Sequence, residues 1–392
     1  MSDLELLFLV IAILYGWECA CWLRVGSVGF LSWFGRRWRI AVPGTLLGNQ
    51  RGGFIFAPPL PPLGTILVGQ PFPLSLSREA FMPGAGSSQV ATLTSWNEVQ
   101  HVTVDGKKVK LNGRAWFTAG SAPGAIRLAR RLDALRKMAP DKRGAAIDEW
   151  FQESLDIKAI EKRWAEFCLR AMPLKMLTNW VFVYLFLFAP LLISRAGLSR
   201  CWVGLLVGLF ALTTCSAVLF HRVHKAFFAE AADDRFTHFL ITLLSPVTTI
   251  RARDALTRPL LEEFHPMAIA KVFCSEEIFS RLARRAVLDL RYPLRRSDLG
   301  DRESALEREA CSGFLRAVEK FLRKQGVNEQ ELTRPPAPND ATCRSYCPRC
   351  EAQFTTVDGS CPDCGSVPLQ PLNPSGNTAM GRQPSTRKEH IR

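Results

Sequence analysis

The sequence predicts a multi-domain α+β membrane protein. It should have three transmembrane helices, a small cytosolic antiparallel β domain closed by a C-terminal helix, a cytosolic helical region and a four-cysteine metal module. Three observations predict this. The 392 residues contain three long apolar runs, yet only 47% of the chain is hydrophobic and its mean hydropathy is +0.04, so a few spans must carry larger polar parts. The stretch after the first run is dense in Gly and Pro, and its apolar residues alternate with polar ones at the period of strands. Near the end, "YCPRCEAQFTTVDGSCPDCG" (346–365) holds two Cys-x-x-Cys pairs.

Residues 1–24 carry the first span, apolar from Leu6 to Leu23 except for Glu18. The acidic start "MSDLE" argues against a cleaved signal peptide, which needs a positive one. Glu18 either sits at the interface beside Trp17 and Trp22 or pairs with a cation inside a bundle. Arg24, Arg36, Arg37 and Arg39 follow, which places the N-terminus outside and the next region in the cytosol.

Residues 43–140 form the β-rich domain. In "VQHVTVDGKKVKLNGRAWFTAGS", Val102 and Val104 alternate before a turn at Asp105-Gly106. Val109 and Leu111 alternate before a turn at Asn112-Gly113, and Ala115 and Phe117 follow. A helix from Pro123 to Met138 comes next. Ser121 caps it, and Ile126, Leu128, Ala129, Leu132 and Leu135 lie on its apolar face. The stretch "SWNEVQHVTV", the meander after it and this helix resemble the bacterial pleckstrin-homology-like fold over about 45–138. The resemblance implies binding to a lipid headgroup or a protein. An unrelated small β-sandwich or barrel fits the same residues.

Residues 141–176 read as amphipathic helix. From Asp148 to Met172, Ile157, Ile160, Trp164 and Phe167 recur at helical spacing opposite Lys and Arg, which suits a membrane surface or packing on the β domain. Residues 177–220 form a transmembrane hairpin, Leu177–Ile193 and Cys201–Phe220, joined by "SRAGLSR" and kinked at Pro190. Lys162, Arg163, Arg170 and Lys175 precede it, Arg222 and Lys225 follow, and the loop carries only Arg195 and Arg200. Three spans then leave the C-terminus cytosolic in a multi-pass protein of the cell's inner (plasma) membrane. Gly204, Gly208, Ala211 and Cys215 make a small-residue face whose partner is either the preceding span or a second copy of the chain.

Residues 221–326 read as a cytosolic helical region. "RFTHFLITLLSPVTTI" is short for a span and contains Pro246. It reads as an interfacial or core helix ending near Leu244, after which Ser245 caps a new helix with Pro246 at its first position. A full crossing here would invert every later assignment of side. Three helices follow, "SPVTTIRARDALTRPLLEEF" with a break at Pro259, "HPMAIAKVFCSEEIFSRLARRAVLDL" and "DRESALEREACSGFLRAVEKFLRKQ". In the last, Leu306, Ala310, Phe314, Val318 and Phe321 form one stripe and Gly326 ends it. His221, His224, Asp233, Asp234 and His238 fall close together and form a candidate site. The ordinary reading is an interfacial helix end. His265, before Pro266, reads as a cap or a core hydrogen-bonding group.

Residues 327–345 are a Pro-rich spacer and 367–392 a polar, disordered tail. Between them, in 346–366, Cys347, Cys350, Cys361 and Cys364 make a complete tetrahedral thiolate set for a structural Zn²⁺, with iron as the minority alternative. The segment resembles a short zinc ribbon, and the arrangement resembles uncharacterised bacterial membrane proteins ending in such ribbons. The other eight of the 12 cysteines are scattered, unlike a secreted disulfide framework.

The net charge of +14 fits retention on the cytosolic side. In the ribbon, Arg344 and Arg349 are balanced by Glu351, Asp358 and Asp363 with no aromatic platform, which argues against nucleic acid as a partner. No nucleotide loop, nucleophile elbow or zinc-protease helix occurs. The expected role is therefore non-catalytic binding or scaffolding, with the bilayer and an unidentified cytosolic protein as partners. The rivals are a membrane enzyme or lipid-binding protein using His221, His224, Asp233 and His238, and a membrane-tethered nucleic-acid binder.

Overall fold

A computed structural model describes residues 5–6, 8–14, 28–32, 41–42, 54–55, 64–68, 74–83, 93–119, 121–273, 276–291, 301–364 and 367–372. Glu18, the arginines at 24–39, the second half of the first apolar run, Gly365 and residues 373–392 lie outside them. Residues 5–6 and 8–14 are helical (α1), with Leu6, Phe8, Leu9, Val10 and Ile13 exposed.

The described strands of the N-terminal half pair antiparallel. β1 (Val28–Ser32) will pair with β4 (Gly64–Val68), while β2 (Ala41–Val42) and β3 (Phe54–Ile55) pair with each other. β5 (Leu74–Leu76), β6 (Ala80–Pro83) and β7 (Thr94–Ser95) form one three-stranded sheet in that order. β8 (Val102–Asp105), β9 (Lys108–Leu111) and β10 (Arg114–Thr118) form the expected meander.

The first turn of the meander sits one residue later than expected. Asp105 pairs with Lys108, so the two-residue loop is Gly106-Lys107 with Gly106 at φ +56°, the glycine-first hairpin turn. The second turn is Asn112-Gly113, both at positive φ. Asn112 does more than turn the chain. Its Oδ1 accepts from the amides of Gln100 (2.8 Å) and His101 (3.2 Å), and its Nδ2 donates to the Glu98 carbonyl (2.7 Å), which pins the approach to β8. A bulge between Ala115 and Phe117 breaks the alternation, so Trp116 meets the Phe81 ring edge-on at 5.1 Å while Phe117 is buried.

Helix α2 (Ala122–Arg136) starts as expected, with Ser121 Oγ accepting from the Gly124 amide. Its buried stripe runs through Ala125, Leu128, Ala129 and Leu132, which is true i, i+3, i+4, i+7 spacing. Ile126 falls one position off it and is half-buried. The helix expected from Asp148 to Met172 is divided. α3 (Pro140–Ser154) ends, and Asp156 caps α4 (Ile157–Val183) by accepting from the amides of Lys158 and Ala159.

Beyond Val183 the helix continues through a π turn (Tyr184–Phe188) into α5 (Ala189–Ala196). The disturbance expected at Pro190 takes this form: the Ala189 amide donates to Tyr184, five residues back. α6 (Leu198–Phe227) returns after Gly197 at φ +79°. The helices Ile157–Ala196 and Leu198–Phe227 are long and apolar enough to cross a membrane, and only 28% of each apolar stretch is buried within the protein. At 40 residues the first is about 60 Å long, twice the ~30 Å of bilayer hydrocarbon. Its first half is therefore built for another solvent, and Ile160, Phe167, Ala171 and Leu174 there are fully buried. Tyr184 packs on Gly208, its hydroxyl donating to the Leu205 carbonyl at 2.8 Å, whereas Gly204 faces open space.

The chain then forms α7 (Ala232–Leu244), α8 (Pro246–Ile250), α9 (Ala252–Leu261), α10 (Pro266–Phe273), α11 (Glu276–Arg291), α12 (Asp301–Lys324) and α13 (Glu329–Leu332). The first of the three expected long helices is broken at Arg251 and runs through Pro259 without a break. α12 buries Leu306, Ala310, Phe314, Val318 and Phe321, and Gly326 follows at φ +71°. The strand and helical regions do not keep separate cores. Phe81 and Trp96, Leu132, Phe167, Leu260 and Val318 belong to one continuous apolar cluster. Arg143 stitches its edge, donating to the carbonyls of Leu135 (2.9 Å), Arg78 (2.5 Å) and Met138 (2.8 Å) under the Trp96 ring.

Candidate metal centre

Two chain reversals build the centre. β11 (Ser345–Tyr346) is the middle strand of a small sheet, with β12 (Gln353–Phe354) and β13 (Gln370–Pro371) on either side. The first reversal leaves β11 at Cys347. The Glu351 amide donates to the Cys347 carbonyl (2.8 Å) and the Cys347 amide to Ala352 (2.9 Å). Closing it puts Glu351 at φ +63°, a conformation that costs a side-chain-bearing residue about 1–2 kcal/mol. In the second reversal the Cys361 amide donates to Val367 (3.0 Å) and the Leu369 amide to Gly359 (2.9 Å).

The result is a four-sulfur cluster. The ligand atoms of Cys347, Cys350, Cys361 and Cys364 all lie within 4.8 Å of one another, and Cys350 Sγ is 3.6 Å from Cys361 Sγ. Sulfurs around a tetrahedral ion at ~2.3 Å would lie about 3.8 Å apart, so the spacing suits one ion such as zinc. Cys347, Cys361 and Cys364 are buried. With Val367, and with Phe354 and Leu369 against them, they are themselves the core of this module. Among the described residues this is the one group of side chains placed to hold a metal, and Cys343 stands outside it.

The thiols divide electrostatically. Burial works to raise the pKa of Cys347, but the amides of Cys350 and Arg349 and the neighbouring thiols outweigh it and leave the group below the usual thiol value. Burial raises Cys350, and with its neighbours already acting as acceptors its pKa lies far above that of a free thiol. Cys364 is pushed up to about 11, first by burial and then by the nearby sulfurs. Four thiolates cannot share this volume without a cation, whereas a dication removes the conflict.

The surroundings of the centre differ from the expected free spacer and tail. The segment before it contains α13, and Arg284 of α11 reaches across: Nε donates to Glu351 Oε1 (2.6 Å), Nη1 to the Leu332 carbonyl (2.5 Å) and Nη2 to the Arg334 carbonyl (2.6 Å). Gln353 donates to the Ala337 carbonyl (2.7 Å) and accepts from the Asn339 amide (2.7 Å). Residues 370–371, expected in the tail, are strand β13. Arg284 lies 67 residues from Glu351, so no local pattern could have announced the pair.

The histidine cluster converges in part. Asp234 lies between His224 Nε2 (3.7 Å) and His238 Nδ1 (3.5 Å), and His238 stacks on Phe220. His224 is buried, and His221 turns to the edge of Phe239. Asp233 lies at the start of α7. These groups tie α6 to α7. His265 caps α10, its Nδ1 accepting from the Met267 amide (3.2 Å). No protein-family model, curated protein or solved structure matches the chain.

Proposed function

We propose that this chain is an integral membrane protein with a non-catalytic binding or scaffolding role, and that its zinc ribbon docks a cytosolic protein. The observation that carries the reading is the closed four-sulfur cluster, fastened through Arg284 to a body whose two long helices turn apolar faces outward. Four thiolates fill a tetrahedral zinc shell and leave no position for substrate, so the metal is structural. It holds together a module with almost no other core, and such sites contribute roughly 10–16 kcal/mol of folding free energy at neutral pH. A third span through α1 is supported by the contact of Phe8 with Phe186, 6.3 Å between ring centres. The flanking Lys and Arg residues support an outside N-terminus and a cytosolic C-terminus.

Protein purified from membranes should contain one zinc per chain, and Cys350→Ser should release it. After crosslinking in cells, the wild-type chain should capture a cytosolic protein that Cys350→Ser does not. A metal-free wild type would overturn the zinc assignment, and identical captures would overturn docking through the ribbon. The enzyme reading draws on the shared carboxylate of His224 and His238, and lipid turnover abolished by His238→Ala would favour it.

A further inference from the structure

We propose that residues 232–250 are a re-entrant helical hairpin, which dips into the bilayer beside α6 and leaves on the side it entered. The inference rests on the reading of α4–α5 and α6 as spans. After α6 ends, a short turn brings α7 back antiparallel along it. Asp234 is level with His224, His238 with Phe220, and Phe239 with His221. From Asp234 to Leu244 the helix advances about 15 Å, half of the ~30 Å hydrocarbon thickness. The tip then meets residues in the middle of both spans: Val247 and Ile250 pack with Val181, Leu185, Leu209 and Leu212. Three residues later the chain is back at the polar half of α4, where the Arg253 guanidinium lies over Trp164 and Phe167.

The break between α7 and α8 is built for a place without water. A helix interruption in hydrocarbon survives only if its freed backbone groups find partners inside the protein. Here Ser245 Oγ accepts from the Thr248 amide (3.3 Å) and shares a hydrogen bond with Thr248 Oγ1 (2.9 Å). Thr249 Oγ1 reaches the carbonyls of Thr242 (2.5 Å) and Ser245 (2.9 Å). The opposite face of α7 presents Phe236, Leu240, Ile241 and Leu244, the last 75% exposed. On α6, Trp202, Leu206 and Phe210 are also exposed and apolar. The occupant of the α7 strip is the lipid acyl chain, because α7 runs back along α6 to a tip packed on Leu209 and Leu212 in the middle of that helix, and no charged side chain interrupts the strip.

The full-length protein in native membranes would be photolabelled with phospholipids carrying a diazirine at mid-chain, and the adducts mapped by mass spectrometry. Adducts are expected on 236–244 as well as on 202–210, and not around Met138, an exposed apolar residue of the body. Labelling of 202–210 with none on 236–244 would overturn the hairpin, whether water or another protein covers that face. Absence from both segments would instead defeat the two-span reading. In sealed vesicles, a membrane-impermeant amine reagent should modify the exposed Lys225 and Lys324 from the same side. Modification from opposite sides would mean that 232–250 crosses fully, and would overturn re-entry.

Discussion

His265 lies in the wall of a small cavity with Phe117, Arg127 and Trp150, and burial lowers its pKa to about 4. Its Nδ1 accepts from the Met267 amide, so the native state holds the neutral imidazole. An unfolded histidine titrates near 6.5, and the folded protein therefore binds fewer protons between these values. The stability contributed by the neutral ring is complete above about pH 6.5 and is lost as the pH falls toward 4. The loss amounts to about 3 kcal/mol. His265→Asn keeps an acceptor for the cap but cannot titrate. Unfolding measured from pH 7 to 4 should be less steeply pH-dependent in this variant, and parallel curves would show that His265 is not the group responsible.

The helical hairpin is assembled from a size match between Tyr184 and Gly208. A Cβ on Gly208 would lie 2.6 Å from the Tyr184 hydroxyl, whereas one on Gly204 would meet nothing within 4 Å. Gly208→Leu should force the π turn away from α6 and destabilise the hairpin by about 1–3 kcal/mol. Gly204→Leu should leave the monomer unaffected. Thermal unfolding in detergent separates the two, and equal melting temperatures would contradict the packing. If Gly204→Leu also abolished self-association in membranes, its open face would be the contact with a second copy.

Arg284 is one of the ties between the metal centre and the body, beside the Arg291–Glu329 ion pair and the packing of Val327 and Leu332 on the main core. Arg284 satisfies two carbonyls of the connecting segment and the carboxylate that follows Cys350. Hydrogen bonds to a charged group contribute about 1.5–3 kcal/mol each when well formed. Arg284→Met should leave the four sulfurs and their zinc in place while loosening residues 333–345, beyond the part of α13 held by Arg291 and the core, so that protease cuts there sooner. Cys350→Ser should do the reverse, losing metal with the Leu332 and Arg334 contacts intact. Proteolysis and zinc content measured on both variants check this. An unchanged cleavage rate for Arg284→Met would show that the module is held by something else.

Features carried by neighbouring residues were legible in the sequence. The Cys-x-x-Cys spacing identified all four members of the cluster, Asn112-Gly113 and Ser121 marked their turn and cap, and Ser245-Pro246 marked the break after Leu244. Each depends on backbone geometry within a few residues. The turn at Gly106-Lys107 was missed by one position because pairing register, and not the dipeptide alone, selects the loop. Long-range packing determined the remainder. Residues 148–172 read as an amphipathic helix for a membrane surface or for packing on the β domain, followed by a span; from Ile157 to Ala196 the chain is one helix, its first half buried in the main core and its second half apolar and largely exposed. The ribbon read as a module beyond a Pro-rich spacer, and its fastening to the body came from Arg284, 67 residues from Glu351. Asp234 gained its place only when α7 folded back on α6. Such contacts arise from cooperative burial between distant segments, and periodicity within any one segment contains no record of them.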